Sequence, residues 1–187
     1  MVASARPARS LRLRASLREI APEIWRVLLV RESSSLATLH AVLQRAMGWT
    51  NSHLYEFEIN GQRFTDLETW EPFGDDEAPG DCRAIRLRDL ALKEGSIFTY
   101  LYDFGDHWLH DVTVEEIGPI SKGETLPRCT AGARACPPED CGGTHGYFDL
   151  LEALHDSSHP EHASSRVWVG GRFDPETFDL RKANSRR

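Results

Sequence analysis

The sequence predicts an α+β fold in a single domain: a mixed, largely antiparallel sheet with hairpins, packed by three to four helices. Three observations carry this. Apolar and polar residues alternate with a period of two in several separate runs, the pattern of half-buried strands. Asn60-Gly61 and the stretch from Asp103 to Asp106 put turn chemistry between consecutive runs, which joins neighbours as antiparallel pairs. Helical spacing then interrupts the strands without a βαβ rhythm. With 187 residues, 40% of them hydrophobic and including five Trp and eight Phe, one domain can bury roughly 70% of the surface its unfolded chain exposes.

The elements follow in order. Residues 1–9 are expected to be a disordered basic tail, 10–184 the domain and 185–187 a second tail. Leu11, Leu13, Ala15 and Leu17 alternate with Arg12, Arg14, Ser16 and Arg18, a strand with an apolar inner and a basic outer face. Ile20 to Pro22 turns the chain, and Ile24 to Val30 forms an antiparallel partner strand. Ser33 to Ser35 offer an N-cap; Leu36, Leu39, Val42, Leu43, Ala46 and Met47 recur at helical spacing, and Gly48 ends the helix. His40, Gln44 and Arg45 belong to its polar face. Tyr55, Phe57 and Ile59 make a third strand, which Asn60-Gly61 returns through Arg63 to Thr65. Residues 66–82 are an acidic loop, and 85–92 a strand with one helical turn. Ile97 to Tyr102 and Trp108 to Ile117 are strands, the second with Trp108, His110, Val112 and Val114 on one face. Residues 118–145 read as connector. A helix from Tyr147 to Leu154 takes Thr144 as N-cap, a short helix ends at Trp168, and a last one starts with Asp174 as N-cap and Pro175 behind it.

The net charge of −7 argues against non-specific nucleic-acid binding, where cations must neutralise phosphates. Arg12, Arg14 and Arg18 are the residues on which a nucleic-acid role would have to rest. The basic ends read as solvated tails, with an acidic protein partner as the alternative. No run of about 18 apolar residues exists, so no membrane span is expected, and the Arg-rich start lacks a secretory apolar core. A cytoplasmic setting with reduced cysteines is the expectation.

Two groups of residues carry chemistry. Cys129, Cys136, Cys141 and His145 have the ligand number for zinc, spaced C-x6-C-x4-C-x3-H. The tight pairs usual in zinc sites are missing, and Pro137-Pro138 stiffens the chain between them, so the other reading is a packed connector of small reduced thiols. No other cofactor is expected. Asp103, Asp106, His107 and Trp108 lie on and beside a hairpin over which Glu139 and Asp140 can fold. Carboxylates and imidazole there can hold a divalent ion or act as acid and base; the alternative is turn chemistry, with the aspartates bonding their own backbone. Asp103-Phe104-Gly105 matches the kinase magnesium triplet, but the rest of a kinase is absent from the sequence. His155, His159 and His162 belong to a solvated loop.

Tyr102 to Trp108, Cys136 to Gly143 with Gly146-Tyr147, Ile24-Trp25-Arg26, Leu36 to Trp49 and Phe173 to Asp179 together resemble the plasmid pRiA4b ORF-3-like proteins. The likeness runs from about residue 10 to 184. It implies an α+β single domain from a bacterial or archaeal cytoplasm, sometimes encoded near mobile elements, with no established activity. It also implies that the Pro-Pro-Glu-Asp stretch and the Tyr102–Trp108 hairpin, not the thiols, are the shared feature. The expectation is a non-enzymatic binding or accessory module acting through the groove between hairpin and connector. The alternative is a metal-dependent hydrolase or nuclease-like enzyme using Asp103, Asp106, His107, Glu139 and Asp140.

Overall fold

A computed structural model of the chain describes residues 8–71 and 78–185. Within them lie β1 (Arg9–Leu17), β2 (Trp25–Arg31), α1 (Leu36–Met47), β3 (Tyr55–Ile59), β4 (Gln62–Thr65), β5 (Gly80–Asp81), β6 (Ile97–Tyr102), β7 (Trp108–Pro119), β8 (Arg128–Ala133), α2 (Gly143–His155), α3 (His162–Trp168) and α4 (Leu180–Ala183). The strands form one sheet in the order β5-β4-β3-β6-β7-β1-β2-β8. Every neighbouring pair is antiparallel except β4 with β5. The α+β reading therefore holds. Residues 1–7 of the expected tail, residues 72–77 of the acidic loop and residues 186–187 of the second tail lie outside the described residues.

Alternation explains the layering. Leu11, Leu13, Ala15 and Leu17 of β1 face the core with Leu28 and Val30 of β2 and Val112 and Val114 of β7. Leu36, Leu39 and Leu43 of α1 seal it, the helix being capped by the Ser35 side chain on Thr38 N–H and ended by Gly48 at φ 96°. On the other face of β1 the arginines are paired: Arg12 with Glu115 at 2.8 Å, Arg14 with Glu23 at 2.7 Å and Arg18 with Asp111 at 2.6 Å. Such exposed pairs add little stability, but they neutralise the cations a nucleic acid would need.

Several local expectations are corrected. β1 starts at Arg9, inside the stretch read as a tail. His40 and Gln44 are buried, not solvated, because partners from the sheet satisfy them. Residues 118–145 are not all connector: β8 pairs with β2 along Trp25 to Leu29. Its free edge is covered by the Asn184 amide, which accepts from Cys129 N–H and donates to Cys129 C=O, both at 2.9 Å, so it substitutes for a further strand. α2 starts at Gly143 behind Gly142 (φ 91°), so Thr144 is not its cap. Asp174 holds a turn through Glu176 N–H at 2.9 Å, and Asp179 caps the last helix instead.

Candidate functional site

The loop leaving α1, residues 49–54, is where the site begins. Four side chains fix it in a closed ring of hydrogen bonds. Asn51 N–H donates to Gln44 Oε1 at 3.1 Å, and Gln44 Nε2 donates to the Tyr100 hydroxyl at 3.0 Å. Asn51 Oδ1 can only accept, so His40 Nε2 donates to it at 2.5 Å, and in the neutral imidazole Nδ1 then accepts from the Tyr100 hydroxyl at 2.8 Å. Burial lowers the His40 pKa to about 4, so the imidazole is neutral near pH 7. The imidazole also stacks on Tyr55, 3.5 Å between centroids.

The same loop receives the connector. Trp49 Nε1 donates to Pro137 C=O at 3.0 Å. Glu139 Oε2 accepts from Thr50 N–H at 2.9 Å and from the Thr50 hydroxyl at 2.5 Å, and Oε1 accepts from the Tyr102 hydroxyl at 2.5 Å. Tyr102 in turn accepts from Ser52 N–H at 3.0 Å; burial first, and Glu139 next, hold its phenol well above the usual range. Both oxygens of Glu139 are thus engaged in holding the loop, β6 and connector together.

The β6–β7 hairpin supplies the third wall. Asp103 Oδ1 accepts from Gly105 N–H at 2.9 Å and Asp106 N–H at 3.3 Å, and Asp103 C=O accepts from His107 N–H at 2.7 Å. Asp106 Oδ2 accepts from Gly142 N–H at 3.2 Å. His107 is exposed and Trp108 is buried in the core, near Trp49 at 6.2 Å between rings. The connector backbone lies so close that a Cβ on Gly143 would meet Asp106 C=O at 2.6 Å, at a φ of +68° that side chains resist. Gly143→Ala is expected to cost about 2 kcal/mol in urea unfolding. Gly123→Ala is the control: its φ is +81° but its surroundings are open, so its loss should be visibly smaller.

What remains available is small. Asp103 Oδ2 lies 3.6 Å, and Asp140 Oδ1 3.1 Å, from Nε2 of His53. These three ligand atoms fall within 4.8 Å of one another, the one such His, Cys, Asp or Glu group among the described residues. Asp103 is buried, His53 half-buried and Asp140 exposed, and His53 Nε2 is buried with no hydrogen-bond partner. Asp103 (φ 59°) and Asp140 (φ 61°) both hold left-handed backbone to aim at it.

The thiol set does not come together. Cys129 Sγ turns to Ala131 C=O at 3.3 Å, Cys136 Sγ contacts Met47 Sδ at 3.3 Å, and Cys141 Sγ faces Gly143 C=O at 3.9 Å. His145 lies on α2 with its side chain 91% exposed, beside Asp149. No disulfide forms, and burial raises the Cys136 and Cys141 thiols to about 12. Of the residues singled out from sequence, Asp103 and Asp140 meet, Asp106 and Glu139 hold the frame, and His107 and Trp108 stand apart. His53 and Thr50 were missed. Their signal was a run of four polar residues, Thr50 to His53, directly after a capped helix.

Comparison with known proteins agrees with this frame. A family model described as plasmid pRiA4b ORF-3-like protein matches residues 9–182. The uncharacterized protein y4hQ of Sinorhizobium fredii (strain NBRC 101917 / NGR234) is 40% identical over 161 residues, 86% of this chain and 80% of its own. The crystal structure of MM3350, a protein of unknown function from Methanosarcina mazei Go1, superposes with a TM-score of 0.84 at 36% identity, covering 95% of this chain and 97% of its own. Among the described residues, no helix is long and apolar enough to cross a membrane.

Proposed function

We propose, for a chain that belongs to the plasmid pRiA4b ORF-3-like family, that it is a non-enzymatic binding module which takes a divalent cation at His53, Asp103 and Asp140. One observation carries this reading. A buried imidazole nitrogen without a hydrogen bond sits 3.1 and 3.6 Å from carboxylate oxygens of two other chain segments. Ligands about 2.1 Å from a tetrahedral ion are about 3.4 Å apart, so the spacing suits a shared cation with little adjustment. One nitrogen and two oxygens suit Zn²⁺ or Mn²⁺, and three protein ligands leave a position for a bound group.

The hydrolase alternative asks five groups to converge. Glu139 has spent both oxygens on Thr50 and Tyr102, Asp106 holds the connector, and His107 is exposed. That leaves Asp103 and Asp140 from its set, which supports holding over turning over.

Elemental analysis and calorimetric titration with Zn²⁺ and Mn²⁺ test the reading. About one cation per chain is expected, with Asp103→Asn and His53→Gln each weakening it at least about tenfold. A wild-type affinity unchanged in both variants would sink the cation site. Phosphodiester hydrolysis with added Mn²⁺ that disappears in Asp103→Asn would sink the non-enzymatic part.

A further inference from the structure

Two surface features meet in one groove. The first is apolar. α3 rests on α2 and has no buried residue, yet it ends in Val167 and Trp168, 81% and 50% exposed. Trp168 and Leu180, another exposed apolar side chain, both line a groove of about 1130 Å³. Met47, Pro137, Pro138 and Phe178 continue its apolar lining. Single exposed apolar side chains are ordinary, but apolar surface gathered in a cleft and rimmed by charge marks a docking site.

The second feature is charge. The chain has a net charge of −7, but the groove reverses the balance: five cationic side chains line it against three carboxylates. Arg26 is one of the five, buried and held by backbone carbonyls. The other four, Arg45, Arg172, Arg181 and Lys182, make no ion pair among the described residues. Arg12, Arg14 and Arg18 of β1 differ, since each is held by a carboxylate. The groove's own carboxylates are engaged with the chain. Glu139 accepts from Thr50 and Tyr102, Asp174 from Glu176 N–H, and Asp179 from the N–H groups of Arg181 and Lys182. Unpaired cations beside an apolar lining complement a partner that brings carboxylates and apolar side chains together.

A nucleic-acid strand fits this groove less well, because its bases need a row of open aromatic faces. The Phe178 ring is covered by the Arg26 guanidinium at 4.3 Å, Phe173 packs edge-on against Tyr147, and Trp49 is buried, which leaves Trp168. The net negative charge also opposes a long polyanion, whereas a short acidic segment meets mainly the local cations. We infer that the groove docks an acidic segment of a partner protein, its carboxylates on Arg45, Arg172, Arg181 and Lys182 and an apolar side chain against Trp168. This surface uses none of the cation ligands His53, Asp103 and Asp140, so the two readings stand or fall separately.

Fluorescence anisotropy with the full chain tests it. The probe is a labelled random copolymer of glutamate and tyrosine, which presents carboxylates and rings in many local orders. Poly-glutamate and a single-stranded DNA of matched charge run beside it. The copolymer should bind more tightly than either, with an affinity that falls as salt is added. Arg172→Glu combined with Lys182→Glu should weaken copolymer binding at least about tenfold. Lys93→Glu combined with Lys122→Glu makes the same charge change outside the groove and should weaken it less than about threefold. All four side chains are exposed, so folding is not at stake. Trp168→Ala should cost the copolymer about fivefold and leave poly-glutamate unchanged. The inference is overturned by a wild-type protein that does not bind the copolymer, by equal losses in the two charge-reversed proteins, by an unchanged copolymer affinity in Trp168→Ala, or by DNA binding tighter than that of the copolymer.

Discussion

Acidifying the protein from pH 7 to pH 4 is expected to remove about 6 kcal/mol of stability through two imidazoles alone. His40 and His110 are 4% and 0% exposed, and burial lowers both pKa values from 6.5 to about 4. Above pH 6.5 they are neutral in folded and unfolded chains alike, and their contribution is fully present. Between 6.5 and 4 the unfolded chain takes up two protons that the folded chain refuses, so stability falls as the pH falls. Structure explains the refusal. A proton on His40 Nδ1 would reverse its bond with Tyr100, leaving the buried hydroxyl to accept from both His40 and Gln44 with its own proton unused. His110 Nδ1–H already donates to Tyr100 C=O at 3.1 Å, and Nε2 has no acceptor to receive a second proton's bond. Since whole domains hold about 5–15 kcal/mol, the urea midpoint should drop steeply over this window. A flat midpoint from pH 6.5 to 4 would mean that one or both rings are not buried as described.

Arg26→Ala is expected to cost about 3–5 kcal/mol, among the largest losses a single site can produce. The guanidinium donates at 2.8 Å to each of four carbonyls: Trp25, Ala46 at the end of α1, and Ala133 and Arg134 at the end of β8. Gly132 has no Cβ where one would lie 2.9 Å from Arg26 Cδ and 2.8 Å from the Phe178 ring, and that ring covers the cation at 4.3 Å. Alanine would bury the carbonyls without donors and leave a void. Arg26→Met separates these effects, since it restores much of the stem but none of the hydrogen bonds. It should lose nearly as much as alanine in urea unfolding; a methionine variant within about 1 kcal/mol of wild type would show the carbonyls to be dispensable. Lysine is no substitute, because a point-like ammonium cannot reach four acceptors in one plane. The connector to Glu139 and Asp140 departs from the carbonyls that Arg26 ties, so the cation site should loosen with it.

Much of this molecule could be read before any coordinates. The alternation of Leu11 to Leu17, the Asn60-Gly61 turn, the Ser35 cap and the Gly48 stop all appear where their local chemistry requires. The hairpin and the connector were recognisable as meeting surfaces, and two of the three residues of the proposed cation site, Asp103 and Asp140, were named from them. β8 was not legible, because Arg-Cys-Thr-Ala-Gly-Ala has little of the β-branched or aromatic character that marks a strand. It becomes one by pairing with β2 and by the room that Gly132 leaves for Arg26 and Phe178. The thiols have the ligand number for zinc without its usual tight pairs, and in the fold each packs against a different neighbour.

Local sequence therefore determined most of the strands and helices, the turns at Asn60-Gly61 and Gly48, and the α+β class of the domain. Those outcomes depend on steric limits and on burial patterns that repeat within a few residues. Only the tertiary structure decided what the polar residues do. His40 and Gln44 are buried because a hydroxyl about sixty positions away, on Tyr100, completes their bonds. Glu139 is a structural clamp because Thr50 and Tyr102 take both of its oxygens. His53 becomes a candidate ligand because the folded hairpin and connector bring Asp103 and Asp140 to its one unsatisfied nitrogen. Whether a polar group holds the fold or is left for a ligand depends on whether the rest of the chain satisfies it, and spacing along the sequence carries no record of that.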